Sequence, residues 1–306
     1  MQIITLITAL PGAVAQGLIW GIMAIGVYIT FRILDIADLT VDGTMCTGGA
    51  VCIMMMLSGH NVWISMLAAT LAGMLAGLAT GIFSHLYGNS RNPCRNPDTV
   101  ISVFRKPENH GKSKSGINVD KYNLLVSLRH IKNAPLSKNT IFIVAVMCIL
   151  LIAILYWFLE QSLAVPFAQP DVTQICHAPR VSTQTGIKVL GLMISNGLVG
   201  LSSALLAQYQ GILQMSTWGR GSIVIGLAAV IIGEAIFGRI FRNFALRLLA
   251  VIFGSILYYL VLQIVIWMGI DTDLLKMLSA IVVALFLAFP YWKGKYFNKP
   301  AKRGGK

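Results

Sequence analysis

A chain of 306 residues that is 56% hydrophobic, only 11% charged and +0.75 in mean hydropathy has too few charges to clothe a water-facing surface; soluble domains carry roughly 25% charge. Lipid as solvent explains both that deficit and the long uncharged runs. The net charge of +13 does not point to nucleic acid, because the basic residues gather at 86–138 and 293–306 without the aromatic-basic module of a nucleic-acid binder.

The first apolar run covers 13–33, with one charge, Arg32, near its end. The stretch before it, 1–10, has no basic residue, so it lacks the n-region of a secretory signal and no cleavage is expected. Asp35, Asp38 and Asp42 separate this run from a short second one at 43–57. The third, 62–83, carries Gly73, Gly77 and Gly81 at four-residue spacing, a stripe that lets a neighbouring helix approach closely. From 86 to 138 the character changes: ten Lys and Arg face three acids, and no run reaches the length of a span. Within it, 124–131 has the pattern of a short amphipathic turn.

The fourth run is 140–159. A stretch at 164–185 follows, in which Pro166, Pro170 and Pro179 argue against a regular helix. The fifth run is 187–213, the sixth 222–237, the seventh 248–270 and the eighth 274–292, before a basic tail at 293–306. The expected fold is therefore an all-α, polytopic transmembrane helix bundle of about eight spans, one domain over 1–306. Trp20, Trp63, Trp157, Trp267 and Trp292 fall in or at the ends of spans, where interface anchors belong.

Basic loops mark the cytoplasmic face. Counting back from a cytoplasmic tail puts 271–273 outside, Arg239, Arg242 and Arg247 inside, 164–185 inside and the start of the fourth run outside. The end of segment 86–138 then falls outside despite its basic charge, a conflict that one more crossing within that segment removes.

No catalytic or cofactor chemistry is legible. The five cysteines, Cys46, Cys52, Cys94, Cys148 and Cys176, form no C-x-x-C pair, so neither a metal site nor a disulfide framework is expected. His110-Gly111-Lys112-Ser113 ends like a P-loop, but Lys106 stands where its first glycine belongs. His60, His85, His110, His130 and His177 lie in loops or span ends without the partners an intramembrane enzyme needs.

Polar residues inside spans carry a functional expectation because lipid penalises them. Glu234 lies within the sixth run, with two readings: an ion pair to Arg239 or Arg242, or a part in gating or coupling. Asn196 and Gln208 on the fifth run sit twelve residues, and so about 120°, apart on a helix; they either bond neighbouring helices or line a solute path. Asp42 and Thr44 at the start of the second run either cap that helix or attend a solute.

Several blocks resemble a known family. They are Gly17-Leu18-Ile19-Trp20-Gly21-Ile22-Met23-Ala24-Ile25-Gly26, Ala37-Asp38-Leu39-Thr40-Val41-Asp42-Gly43 and Gly48-Gly49-Ala50. More distinctive are Gly191 to Leu198, Ala204 to Gly211, and Val224-Ile225-Gly226-Leu227-Ala228-Ala229-Val230-Ile231-Ile232-Gly233-Glu234. Together these resemble ABC importer permeases of the branched-chain amino acid and ribose type, nearest to a subgroup paired with lipoprotein-type binding proteins, some of it assigned to aromatic amino acids. The resemblance implies a bacterial inner-membrane subunit that forms a solute path with a second permease chain, alike or different. It also implies ABC ATPase subunits that hydrolyse ATP on the cytoplasmic side and an extracytoplasmic solute-binding lipoprotein. A secondary transporter or channel acting without an ATPase is the alternative, and little beyond Glu234 speaks for it.

The chain departs from the family twice. Where the family has a further apolar span, 87–98 is polar and rich in Asn, Arg and Pro. Where it has the ATPase-coupling loop, 164–185 keeps only the ending Gly186-Ile187. Abrupt loss and recovery of a pattern is what out-of-frame stretches closed by second slips produce. The rival reading is a pair of genuine inserts. In the first case the chain is a damaged copy, with a missing span and an uncoupled path.

Overall fold

The computed structural model describes residues 2–36, 38–86, 114–116, 124–127, 139–163, 181–214, 221–238, 240–241, 243–269 and 284. Seven α-helices appear among them. Helix α1, Gln2–Tyr28, runs straight into a π-helical turn, Ile29–Ile33. Then come α2 (Val41–Leu57), α3 (Val62–Leu86), α4 (Thr140–Leu163), α5 (Val181–Gln210), α6 (Ser222–Phe237) and α7 (Phe244–Trp267). Five stretches are long and apolar enough to cross a membrane, on α1, α3, α4, α5 and α7; α2 and α6 are shorter. The architecture is thus an all-α membrane bundle. The eighth span expected at 274–292 and the basic tail lie outside the described residues, as do most of 86–138 and of 164–185. The short helical turn expected at 124–131 is seen in part: 124–127 is a bend, not a helix.

Helix α1 starts eleven residues earlier than the apolar run suggested, with Pro11 inside it. Transmembrane helices tolerate such prolines because neighbours re-satisfy the freed carbonyl. One residue on, and apart from the Ile7 carbonyl that Pro11 leaves without a donor, the Gly12 carbonyl accepts from the Tyr209 hydroxyl at 3.1 Å. That bond is the last rung of a ladder. On α5, Ser195, Ser202 and Tyr209 recur every seven residues, and donate to the α1 carbonyls of Gly26 (2.8 Å), Ile19 (2.8 Å) and Gly12. Heptad spacing keeps one face of α5 on α1, and the falling acceptor numbers make the pair antiparallel. On another side of α1, Ser255 of α7 donates to the Gly17 carbonyl. Helix α1 is the buried centre, with 83% of its apolar window enclosed against 22% for α4. Trp20, expected as an interface anchor, packs in this centre with its ring 5.9 Å from that of Tyr259, whereas Trp63 and Trp157 are exposed.

The glycine stripe of α3 meets α5 as its spacing predicts. A Cβ at Gly73 would strike the Asn196 carbonyl, at Gly77 the Leu192 carbonyl, and at Gly81 it would sit 3.0 Å from Val189. Dispersion from close-packed backbones replaces the hydrophobic effect as the holding force in lipid. Gly77→Ala is therefore expected to cost about 1–3 kcal/mol, the usual range for overpacking. A fall in the thermal midpoint of the detergent-solubilised chain would register it, and an unchanged midpoint would show that the contact is slack.

Helix directions follow from these contacts. Helices α3 and α5 are antiparallel, as are α1 and α5, α1 and α7, and α6 and α7. Leu86 therefore closes α3 at the end of the bundle where α5 begins. At the other end, the strand Lys114–Gly116 (β1) pairs antiparallel with Ile212–Gln214 (β2), just beyond the last turn of α5. Near it Thr140 bonds Ser127, and the Leu125 amide reaches Gln208. The 21 residues from Val189 to Gln210 separate these ends by about 32 Å at 1.5 Å per residue. The chain between Leu86 and Lys114 thus joins opposite ends of the bundle.

Candidate functional site

Between the π turn of α1 and the start of α2 the backbone leaves the helical path. Asp35 takes a left-handed φ of 52°, and the Ile36 amide bonds back to the Thr30 carbonyl at 3.0 Å. Irregular backbone at membrane depth survives only where protein or a water-filled cavity covers it. Here it carries Asp38 into the bundle, 3% exposed. One carboxylate oxygen accepts from the Thr40 amide at 2.9 Å and from the Thr40 hydroxyl. The other accepts from Asn196 Nδ2 at 2.7 Å.

Asn196, fully buried on α5, is the hub. Its amide group also donates to the Leu192 carbonyl at 3.1 Å, and its Oδ1 accepts from the Thr44 hydroxyl of α2 at 2.7 Å. Thr80 of α3 approaches the Thr40 hydroxyl at 3.3 Å. One chain of hydrogen bonds therefore ties the α1–α2 link, α2, α3 and α5 together. A buried polar network of this kind stiffens its elements only if every member is satisfied.

Asp42 does not cap its own helix, whose N-cap is Thr40. Its carboxylate crosses to the start of α6 and accepts from the amides of Gly221 and Ile223, both at 3.0 Å, and from the Ser222 hydroxyl. Gly221 holds a φ of 84°, which a side chain would strain. A carboxylate on the orphan amides of a helix N-terminus is favourable on dipole and hydrogen-bonding grounds. It locks α2 to α6 across 179 residues of sequence.

The other expected residues lie apart from this seam. Gln208 is buried three turns further along α5, accepting from Leu125 at 3.3 Å, with its amide 3.9 Å from Cys52 Sγ on α2. Asn196 and Gln208 thus both face α2, though at different depths. Gly186 is exposed and Ile187 half-buried at the start of α5. Glu234 pairs with Arg32 of the π turn at 3.1 Å. Arg239 and Arg242, the partners expected from sequence, lie outside the described residues. Arg32 and Glu234 remain 60% and 35% exposed, so the pair contributes at most about 1 kcal/mol.

Sequence reasoning passed over Asp38, Arg32 and Ser222 as site residues. The signal for Asp38 was present: three aspartates within eight residues between two apolar runs. Among the described residues no group of three or more His, Cys, Asp or Glu side chains is placed to hold a metal ion.

The comparisons with known proteins extend over most of the chain. Residues 10–92 match the family described as branched-chain amino acid transport system / permease component. The chain is 31% identical over 275 residues to the tyrosine transport system permease protein of Clostridioides difficile (strain R20291), covering 89% of this chain and 88% of that protein. It is 30% identical over 296 residues to an uncharacterized protein of Rickettsia prowazekii (strain Madrid E), covering 92% of this chain and 96% of that one. No solved structure matches. A bundle of membrane helices around a buried polar seam, alike over nearly its whole length to a transport permease, belongs to the ABC-type amino-acid permease family: it is the membrane permease component of an ABC-type importer for a small solute.

Proposed function

We propose that this chain forms, with a second permease chain, the solute path of an amino-acid importer in the bacterial plasma membrane. Two ABC ATPase subunits bind the cytoplasmic side and hydrolyse ATP there, and an extracytoplasmic solute-binding lipoprotein delivers the solute. The observation that carries this reading is the near-full-length similarity to a permease of a tyrosine transport system. The basic loops support the orientation. Arg32 and Arg247 lie at the end where α3 closes and α5 begins, which fits a cytoplasmic face.

The hydrogen-bond seam supplies a mechanical route. ATPase closure acts on the coupling segment that ends at Gly186 and Ile187. Helix α5 carries that movement to Asn196, which passes it through Thr44 and Asp38 to α2. Asp42 passes it on to α6, where Glu234 and Arg32 part or close. Asp42, Thr44, Asn196 and Gln208 border the path in this reading, and Glu234 gates its cytoplasmic end.

Reconstitution in proteoliposomes tests it, with the neighbouring ATPase and binding protein and a panel of radiolabelled amino acids that includes tyrosine. Uptake is expected only with ATP and the ATPase, and Glu234→Gln should lower it while the thermal midpoint stays unchanged. Uptake driven by an ion gradient without the ATPase would instead establish a secondary transporter.

A further inference from the structure

Helices α6 and α7 meet the end of α1 at one edge of the bundle. Gly233 of α6 packs on the backbone of Ala250 and Val251 in α7, and Gly226 of α6 packs on Val27 of α1. Three elements therefore end at nearly one depth: the apolar stretch of α1 stops at Ile33, α6 stops at Phe237, and α7 starts at Phe244. Arg32, Glu234 and Arg247 each lie within a helical turn of those ends, where a bilayer changes from acyl chain to headgroup.

The charges gathered there do not balance. Arg32 and Glu234 join at 3.1 Å and cancel. The Arg247 side chain hydrogen-bonds instead to Tyr28, which is buried. Both arginines and Glu234 lie close enough to act by charge on the Tyr28 hydroxyl, so two positive groups and one negative group share the site. A phenol supplies a hydrogen-bond partner and no charge, which leaves the charge of Arg247 uncompensated by it. Arg247 is exposed, and its guanidinium keeps further donors in the planar fork that suits phosphate oxygens.

The surface beside it suits hydrocarbon. Phe237 stacks on Phe241 at 5.5 Å and tilts against Phe253 of α7 at 5.6 Å. Ile236, Ile240 and Phe253 are exposed. Phe253 is six residues beyond Arg247 on α7, about 9 Å deeper in the bilayer at the helical rise. A phospholipid has the same order along its length, with acyl chains inward and the phosphate outward. A soluble anion would match the charge and leave the apolar patch uncovered. Bulky apolar residues are also exposed on α3 and α4, among them Leu71 and Ile149, so hydrocarbon contact alone selects no position. The charge of Arg247 selects this one.

We propose that the α6–α7 edge binds an anionic phospholipid, with its phosphate on the Arg247 guanidinium and its acyl chains along Phe253 and Ile236. The Arg32–Glu234 pair stays closed beside it.

Native mass spectrometry tests it, on the full chain purified in detergent with its partner subunits and offered phosphatidylglycerol or phosphatidylcholine. Both lipids carry a phosphate, but only the first has a net negative charge. The native chain is expected to hold phosphatidylglycerol about fivefold more tightly, the gain that one basic residue gives at an anionic surface. Arg247→Gln should bring the two lipids level. Lys188→Gln removes another exposed charge at the same end of the bundle and should leave the preference in place. Equal binding of both lipids by the native chain, or an equal loss in both variants, would overturn the site. Inorganic phosphate that displaces phosphatidylglycerol at millimolar concentration would overturn the lipid and assign Arg247 to a soluble anion. A phosphatidylglycerol with a photoreactive headgroup reads the site in the native chain, should Arg247→Gln fail to fold. Label at the start of α7 is the expected result, and label found only on other helices would sink the proposal.

Discussion

Asn196→Asp is expected to be among the most damaging single changes in the bundle, and Asp38→Asn is expected to repair much of it. In the native seam Asn196 Nδ2 donates to Asp38 across 2.7 Å while Asn196 Oδ1 accepts from Thr44. Asn196→Asp keeps the shape and the bond from Thr44. It sets a second carboxylate oxygen against Asp38 with no hydrogen between them, in a site sealed from water. An uncompensated buried charge costs about 3–5 kcal/mol, so folded yield and uptake should both fall more than tenfold, since about 1.4 kcal/mol is already a factor of ten. The double variant Asp38→Asn/Asn196→Asp moves the charge from position 38 to its partner at position 196 and restores the bond, now donated from 38 to 196. The Thr40 bonds to Oδ1 survive unchanged. The Leu192 carbonyl loses its donor and faces a carboxylate oxygen across the former 3.1 Å bond, two acceptors without a hydrogen between them, so the repair is incomplete. A thermal midpoint of the double variant within a few degrees of the native chain is the expected reading. If Asn196→Asp is as stable as the native chain, the seam does not hold these helices together. If the double variant is folded but transports nothing, the carboxylate at 38 has a role beyond its hydrogen bonds.

How much of this was legible in the sequence depends on range. The apolar runs located each described helix, because lipid demands about 20 apolar residues wherever a helix crosses. The spacing of Gly73, Gly77 and Gly81 identified a packing stripe, because four residues return a helix to the same face. Neither signal names the partner. That the stripe meets α5, that Asp42 reaches α6, and that Glu234 finds Arg32 two hundred residues upstream are consequences of how the described helices share space. Local periodicity does not encode them. Trp20 shows the same limit: its rank as an interface residue is a statistical expectation, and the packing of α1 at the centre overrides it. The heptad of Ser195, Ser202 and Tyr209 was readable in principle. Its meaning depends on α1 lying opposite, which the sequence alone does not establish.

Translating the gene in all three frames across codons 84–116 is expected to recover an apolar span that the present reading lacks. Two independent lines converge on this. Charge counting demands one more crossing within 86–138. The bundle likewise places Leu86 and Lys114 at opposite ends. Residues 87–113 hold Arg91, Arg95, Arg105, Lys106 and Lys112 together with Asp98 and Glu108. Each such charge costs about 2.5–3.5 kcal/mol at the centre of an inserted helix, and even with several near the ends the sum opposes insertion. A frame slip closed by a second one would produce so polar a stretch at once, and the same event at codons 164–186 would account for the departure from the coupling-loop pattern there. If another frame supplies both the span and the loop, a gene restored to that frame should yield a chain that inserts more stably and takes up solute faster than the present one. If no frame supplies an apolar stretch, the segment is a genuine insert. Labelling of Cys94 from the outside or the inside of sealed vesicles then fixes which side of the membrane it reaches.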